Sequence, residues 1–211
     1  MAQSFYQEKT GDKSDGFDGL LFIPDISGFT RLVHATDVLT GRQITRELLS
    51  AIIGINTLQL NVAEIEGDAV LFYRGGAAPS PHKLFDQYEK MVMAFEAKRK
   101  DLERKFSLRL DLSLKVIAHY GTMAPFRIGS FKKLYGQVVV EAHRLLKNSV
   151  DSNSYLLLTD SLFRQPHHVP DHDLLQPGIR SGRLCEVYDG LRKLCFTYFD
   201  FTGRSSGKQV A

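Results

Sequence analysis

FIPDISGFT, residues 22–30, closes the continuous apolar run GLLFI (19–23) with a proline, an acid and a small-residue turn. A short apolar run of this kind suits a central strand, which Pro24-Asp25 is expected to end. The acid is then left where the chain turns, and Gly28 permits close backbone approach. A second acid is placed in a comparable way. LQLNVAEI and AVLFY flank Gly67-Asp68 closely enough to be two strands of a hairpin, with Asp68 at the tip.

The surrounding chain alternates in period. Thr40 and Gln43 form a capping box, and Ile44, Leu48, Ile52 and Ile55 follow at helical spacing, which predicts a helix over roughly 41–56. Leu84, Tyr88, Met91, Val92 and Phe95 predict a second amphipathic helix running towards Arg104. From Leu108 to Val116 leucine and valine alternate with polar residues, the pattern of a half-buried strand, and this strand leads into HYG (119–121). Val139, Ala142, Leu145 and Leu146 give a third helix after Gly136, YLLLT (155–159) another strand, and 183–188 with 193–200 a terminal hairpin. This order implies an α/β (α+β) sandwich, a mixed central sheet with helices on one face. Residues 1–16 and 203–211 are polar and small, and are expected to be flexible tails around one domain at 17–202.

Composition narrows the function classes. With 211 residues, 43% hydrophobic and 24% charged, the chain can bury a real core, which excludes disordered, collagen-like and disulfide-dense classes. Twenty-seven basic against twenty-four acidic residues leave a formal charge of +3, too little to argue for nucleic acid or an anionic membrane. The stretch MAQSFYQEKTGDKSDGFDG (1–19) has no apolar h-region and no segment approaches the roughly 18 apolar residues of a spanning helix, so a cytoplasmic location is expected. Cys185 and Cys195 flank the turn at Asp189-Gly190. A two-residue turn would pair Cys185 with Leu194 and put the sulfurs on opposite faces, whereas a loop one residue longer would put them opposite each other. Reduced cysteines are the expectation.

Read together, FIPDISGFT (22–30), EIEGDAVLF (64–72), KVIAHYG (115–121) and LYGQVVVEAHRLL (134–146) resemble the class III nucleotidyl cyclases over roughly residues 18–200. The resemblance is closer still to a bacterial group of unknown function related to those cyclases. It implies a ferredoxin-like cyclase fold with a C-terminal β-hairpin, and a soluble head-to-tail homodimer that converts a nucleoside triphosphate to a 3′,5′-cyclic nucleotide and pyrophosphate. By the same resemblance Asp25, Asp68 and the backbone carbonyl of Ile26 hold two Mg²⁺ or Mn²⁺ ions. Ser27, Gly28 and Phe29 enter a helix N-terminus facing the phosphates, and Arg144 reaches the phosphates from the other subunit. Arg192 or Lys193 matches a second cationic residue less well.

The chemistry agrees with those residue types. One ion neutralises phosphate charge and another makes the attacking hydroxyl acidic, and hard divalent cations want carboxylate oxygens. The base-selecting positions depart from the pattern of adenylyl cyclases. Glu64 stands where they carry lysine and guanylyl cyclases carry glutamate, and Lys133 replaces the usual Asp or Cys. A carboxylate accepts from the N1-H and amino group of guanine and is repelled by the bare N1 of adenine. GTP or a pyrimidine triphosphate is therefore expected ahead of ATP. Val140 replaces the asparagine that orients the ribose, which favours the alternative of a catalytically degenerate module binding nucleotide or a protein partner.

Other polar residues have plainer readings. His119 is expected to pack at a strand end and His143 to lie on a helix surface. QPHHVPDHD (165–173) carries His167, His168, Asp171, His172 and Asp173 without a known ligand spacing, and reads as a solvated loop. Lys132 and Lys133 are too few for a nucleic-acid footprint, and no exposed aromatic strand motif supports an RNA binder.

Overall fold

The structure is a computed structural model that describes residues 16–164, 178–188, 190 and 192–204. In chain order its elements are β1 (Phe17–Ser27), α1 (Phe29–Ala35), α2 (Val38–Gly54), β2 (Asn61–Glu66), β3 (Ala69–Gly75), α3 (Pro81–Phe106), β4 (Ser113–Ile128), β5 (Phe131–Tyr135), α4 (Gln137–Leu145), β6 (Tyr155–Thr159), α5 (Asp160–Phe163), β7 (Arg180–Val187) and β8 (Lys193–Asp200), with a 3₁₀ turn at Thr202–Arg204. The strands form one sheet in the order β2-β3-β1-β4-β6-β8-β7, and β5 pairs with the far end of β4. Only the β4–β6 pair is parallel among the described strands. The expected mixed sheet with a C-terminal hairpin is present.

The run LLFI is apolar at every position because β1 is buried on both faces. Leu20, Phe22 and Ile26 enter the larger core with Ile44 and Leu48 of α2 and Tyr88 and Phe95 of α3. Leu21 and Ile23 enter a smaller core against Val138, Ala142 and Leu145 of α4. The helices thus lie on both faces, not one. An apolar strand in the middle of a sheet needs cover on each side, and α4 supplies the second.

Several boundaries move for identifiable reasons. The N-cap of α2 is Asp37, whose Oδ1 accepts from the amides of Leu39 and Thr40 at 3.0 and 3.1 Å, so Thr40 lies inside the first turn. β4 begins only at Ser113, and residues 108–112 approach it as irregular chain. His119 therefore sits in the middle of a 16-residue strand, not at its end. β1 runs through Pro24 to Ser27. Ile26 N donates to the Asp68 carbonyl at 3.3 Å, so even-numbered amides of β1 point towards β3. Pro24 has none to give, and the β1–β3 register lapses at 23 and 24 before resuming at Asp25↔Ala69.

The expectation of reduced cysteines is overturned. β7 and β8 pair Cys185 directly with Cys195, their Cα atoms 4.0 Å apart, and the two sulfurs form a disulfide. The register, which runs to Val187↔Lys193, is one residue off the one a two-residue turn at Asp189-Gly190 would set, and it brings both side chains to the same face. The histidine-rich segment 165–173 and residues 1–15 lie outside the described residues, as do 205–211. No helix among the described residues is long and apolar enough to cross a membrane.

Candidate functional site

Asp25 ends the ordered β1–β3 register on the α4 face of the sheet, the face of Leu21 and Ile23. The hairpin tip reaches it through backbone geometry. Gly67 takes a left-handed φ of 60°, and the Asp68 carbonyl accepts from Ile26 N, which docks the tip beside the strand. Asp25 pairs with Ala69, the residue after Asp68, so the two carboxyl groups are near enough to interact electrostatically. Partial burial first, and then the charge of Asp25, push the Asp68 carboxyl up to about 6. Two acids distant in sequence thus share one half-buried spot.

Lys115 completes this cluster and was not a candidate from the sequence. It pairs across the sheet with Asp25, sets its Nζ 3.1 Å from Asp25 Oδ2, and donates to the Leu146 carbonyl just after α4 at 3.2 Å. Its alternation in LSLKVIAHYG put it opposite the buried leucines, but only the β1–β4 register shows that Asp25 is its partner.

Two carboxylates and the nearby Ile26 backbone make an oxygen-only donor set of the kind Mg²⁺ and Mn²⁺ take. The shared negative charge at Asp68 fits a cation as well. No cluster of three or more His, Cys, Asp or Glu side chains suited to a metal occurs among the described residues, so substrate oxygens and water would complete any octahedron.

The turn after Asp25 is shaped by packing. Gly28 has φ 92°, and a Cβ there would lie 2.4 Å from the Asp111 carbonyl, so glycine is required irrespective of any ligand. Phe29 packs against the larger core, and Ser27 pairs with Ser113.

Glu64 and Lys133, far apart in sequence, meet. A bulge at Ala63 sets Glu64 opposite Leu71, which turns its side chain to the α4 face. Lys133 of β5 donates its Nζ to Glu64 Oε1, and both side chains stay partly exposed, at 41% and 35%. Beside them a cavity of about 270 Å³ opens between Ala63 and Tyr73 on one side and Phe126 and Lys133 on the other.

The remaining candidates separate. Arg144 is exposed in the last turn of α4 and makes no ion pair among the described residues, whereas Val140 is half exposed one turn earlier. Lys193 is exposed at the start of β8, three strands from β1. Arg192 is committed elsewhere: its Nε and Nη2 hold the fully buried Glu141 carboxylate at 2.7 and 3.0 Å. Glu141 also meets His119 Nε2 at 2.8 Å, and His119 Nδ1 meets Thr159 Oγ1 at 2.8 Å. Burial would raise the Glu141 carboxyl, but bonds from His119, Arg192 and Gln137 outweigh it and hold the group at about 2. His119 has both ring nitrogens engaged, as a structural residue does.

The family model described as "Protein of unknown function (DUF2652)" matches residues 45–155, more than half of the chain. The chain belongs to that family. Of the candidate residues, the DUF2652 match contains Glu64, Asp68, Lys115, Lys133 and Arg144, while Asp25 precedes it. An "Uncharacterized protein Rv2561/Rv2562" from Mycobacterium tuberculosis (strain ATCC 25618 / H37Rv) is 31% identical over 108 residues, 48% of this chain and 50% of that protein. The chain spans about half the length of this curated relative. Among solved structures, the guanylyl cyclase Cya2 superposes with a TM-score of 0.65 at 12% identity, covering 88% of this chain and 92% of that one. The adenylyl cyclase CyaB from P. aeruginosa gives 0.58 at 17% over 88% and 94%. The guanylate cyclase domain of RhGC from Catenaria anguillulae, solved in complex with GTP, gives 0.56 at 17% over 88% and 97%. This DUF2652 member therefore has the α+β fold of class III adenylyl and guanylyl cyclase domains.

Proposed function

We propose that the α4 face of the sheet binds a nucleoside triphosphate and, in a head-to-tail homodimer, cyclises it to a 3′,5′-cyclic nucleotide and pyrophosphate. The observation that carries this reading is the convergence of Asp25 and Asp68 on one spot of that face. Glu64, on the same face, is the other end of the site. From Asp25 it lies two strands across and two residues along β3, roughly 12 Å by strand spacing and rise, a span that a nucleotide bridges from phosphate to base.

Asp25, Asp68 and the Ile26 carbonyl would hold Mg²⁺ or Mn²⁺, which supplies charge neutralisation at the phosphates and acidifies the attacking hydroxyl. Lys115 holds the Asp25 carboxylate in place from behind and shares its charge. The turn Ser27–Phe29 lies beside the phosphates, Glu64 and Lys133 face the base, and Arg144 of the second subunit stabilises charge on the transferring phosphate, with Lys193 a weaker partner. Exposed Phe126, Ile128, Phe131 and Tyr135 on the β4–β5 arm, with Val140 on α4, give the two-fold contact an apolar surface.

Two observations favour a second reading, a nucleotide-binding module without turnover. Lys115 already places a cation against Asp25, and Val140 offers the ribose no hydrogen bond. Incubation with each of the four triphosphates and Mn²⁺, followed by mass spectrometry, separates the two. Cyclic product that disappears in Asp25→Asn supports the enzyme; bound triphosphate recovered unchanged supports the module.

A further inference from the structure

The terminal hairpin grips α4 at two places. Arg192 sends its Nε and Nη2 to the fully buried Glu141 carboxylate of α4 at 2.7 and 3.0 Å, and Glu186 Oε1 accepts from Ser149 N at 2.9 Å just beyond the helix. Both gripping residues lie inside the ten-residue separation that Cys185 and Cys195 close. We propose that Cys185 and Cys195 form a reversible thiol–disulfide site: oxidised, it fixes the hairpin end that grips α4, and reduced by a dithiol it loosens that grip.

The register puts the cross-link and the grip on opposite faces of the ribbon. Glu186 pairs with Leu194, which packs in the smaller core with α4, whereas Cys185 and Cys195 stand one residue away on each strand and turn to the other face. β7 is the last strand of the sheet, and no other described strand covers it. Cys185 is exposed and Cys195 half-buried. An exposed disulfide is the kind that a thiolate from solvent can attack.

The exchange balances with a dithiol as reductant. One of its thiolates attacks Cys185 Sγ, the S–S bond breaks, and Cys195 leaves as a thiolate that takes up a proton. The second thiolate then attacks the reductant's own sulfur in the mixed disulfide and releases Cys185, so that two electrons and two protons pass to the protein and the reductant closes into a cyclic disulfide. Beyond the cysteines only Glu186↔Leu194 and Val187↔Lys193 continue the ladder among the described residues. Without the cross-link that short end regains chain freedom and opens locally. Glu141 then stays buried with one charged partner fewer, a costly state that opening of α4 relieves. The effect reaches the sheet, because Val138, Ala142 and Leu145 of α4 pack with Leu21 and Ile23 of β1. The clasp acts on α4 whether or not that face turns over a nucleotide.

Hydrogen exchange read by mass spectrometry, on the full chain oxidised and after dithiothreitol, tests the proposal. Reduction is expected to speed exchange in α4 at least about tenfold more than in α3, because α4 opens without global unfolding, and reoxidation is expected to restore the slow exchange. An equal factor in both helices marks a cross-link that only stabilises the whole fold, and overturns the proposal. So does a disulfide that dithiothreitol reduces only in urea, or a pair that stays reduced in oxidised glutathione. In urea unfolding, R192Q is expected to lower the folded-to-unfolded ratio about tenfold or more in the oxidised protein but less than about threefold in the reduced one. An equal loss in both states contradicts the coupling. The exchange measurement uses the unaltered chain and decides even if R192Q does not fold.

Discussion

Asp68 is held in an unfavourable place: half buried, beside another carboxylate, with its own carboxyl pushed up to about 6. Strain of this kind has a measurable stability cost. Asp68→Asn removes the repulsion and is expected to stabilise the fold by about 1 kcal/mol, after allowing for solvent screening of a half-exposed pair. The same variant is expected to lose divalent-cation-dependent nucleotide binding; calorimetric melting and titration together check it. Glu141 is the opposite case. Its carboxyl is held at about 2, below its ordinary 4.5, so its contribution to stability is complete above pH 4.5 and is lost as pH falls towards 2. Glu141→Gln is expected to cost about 3 kcal/mol at pH 7 and to flatten the fall in stability between pH 5 and pH 2, by urea unfolding. The Gly-Asp tip at Asp68 was legible in the sequence as a local turn, whereas the turn expected at Asp25 is absent because β1 continues to Ser27. Lys115 and Glu141 were not legible, since what makes them matter is a partner on another strand or helix.

Elements with strong periodicity were read correctly, and errors fell where long-range pairing decides. α3 and β6 match the sequence reading because an amphipathic stripe and a fully apolar run each define one element. β4 begins later and runs further than its alternation implied, because it is β1 and β5 that set its length. β5 itself carries no apolar alternation, and its strand character comes from pairing. At the terminal hairpin one residue of loop length determines whether the cysteines meet. The disulfide closes a separation of ten residues. Its reduction is expected to cost about 2 to 3 kcal/mol through the freed chain entropy, with the far-UV spectrum of the folded state unchanged. Unfolding with and without dithiothreitol measures that cost, and thiol titration of the native oxidised protein is expected to find no reactive sulfur.

At the scale of the molecule, one chain carries the Asp25–Asp68–Lys115 cluster, the Glu64–Lys133 pair and an exposed apolar arm, while Arg144 makes no ion pair among the described residues. In the proposed homodimer a second copy would cover that arm and complete the site. A charge on the arm, Phe131→Glu, is expected to give a monomer by sedimentation and to abolish turnover without lowering the melting temperature, since Phe131 is 70% exposed. The most direct measurement mixes two inactive proteins, Asp25→Ala and Arg144→Ala, and follows cyclic product by mass spectrometry. Shared sites predict that activity returns on mixing, up to about one quarter of the wild-type level after random subunit exchange. A mixture as inactive as its parts, with heterodimers demonstrably formed and the wild type active, would contradict the shared site.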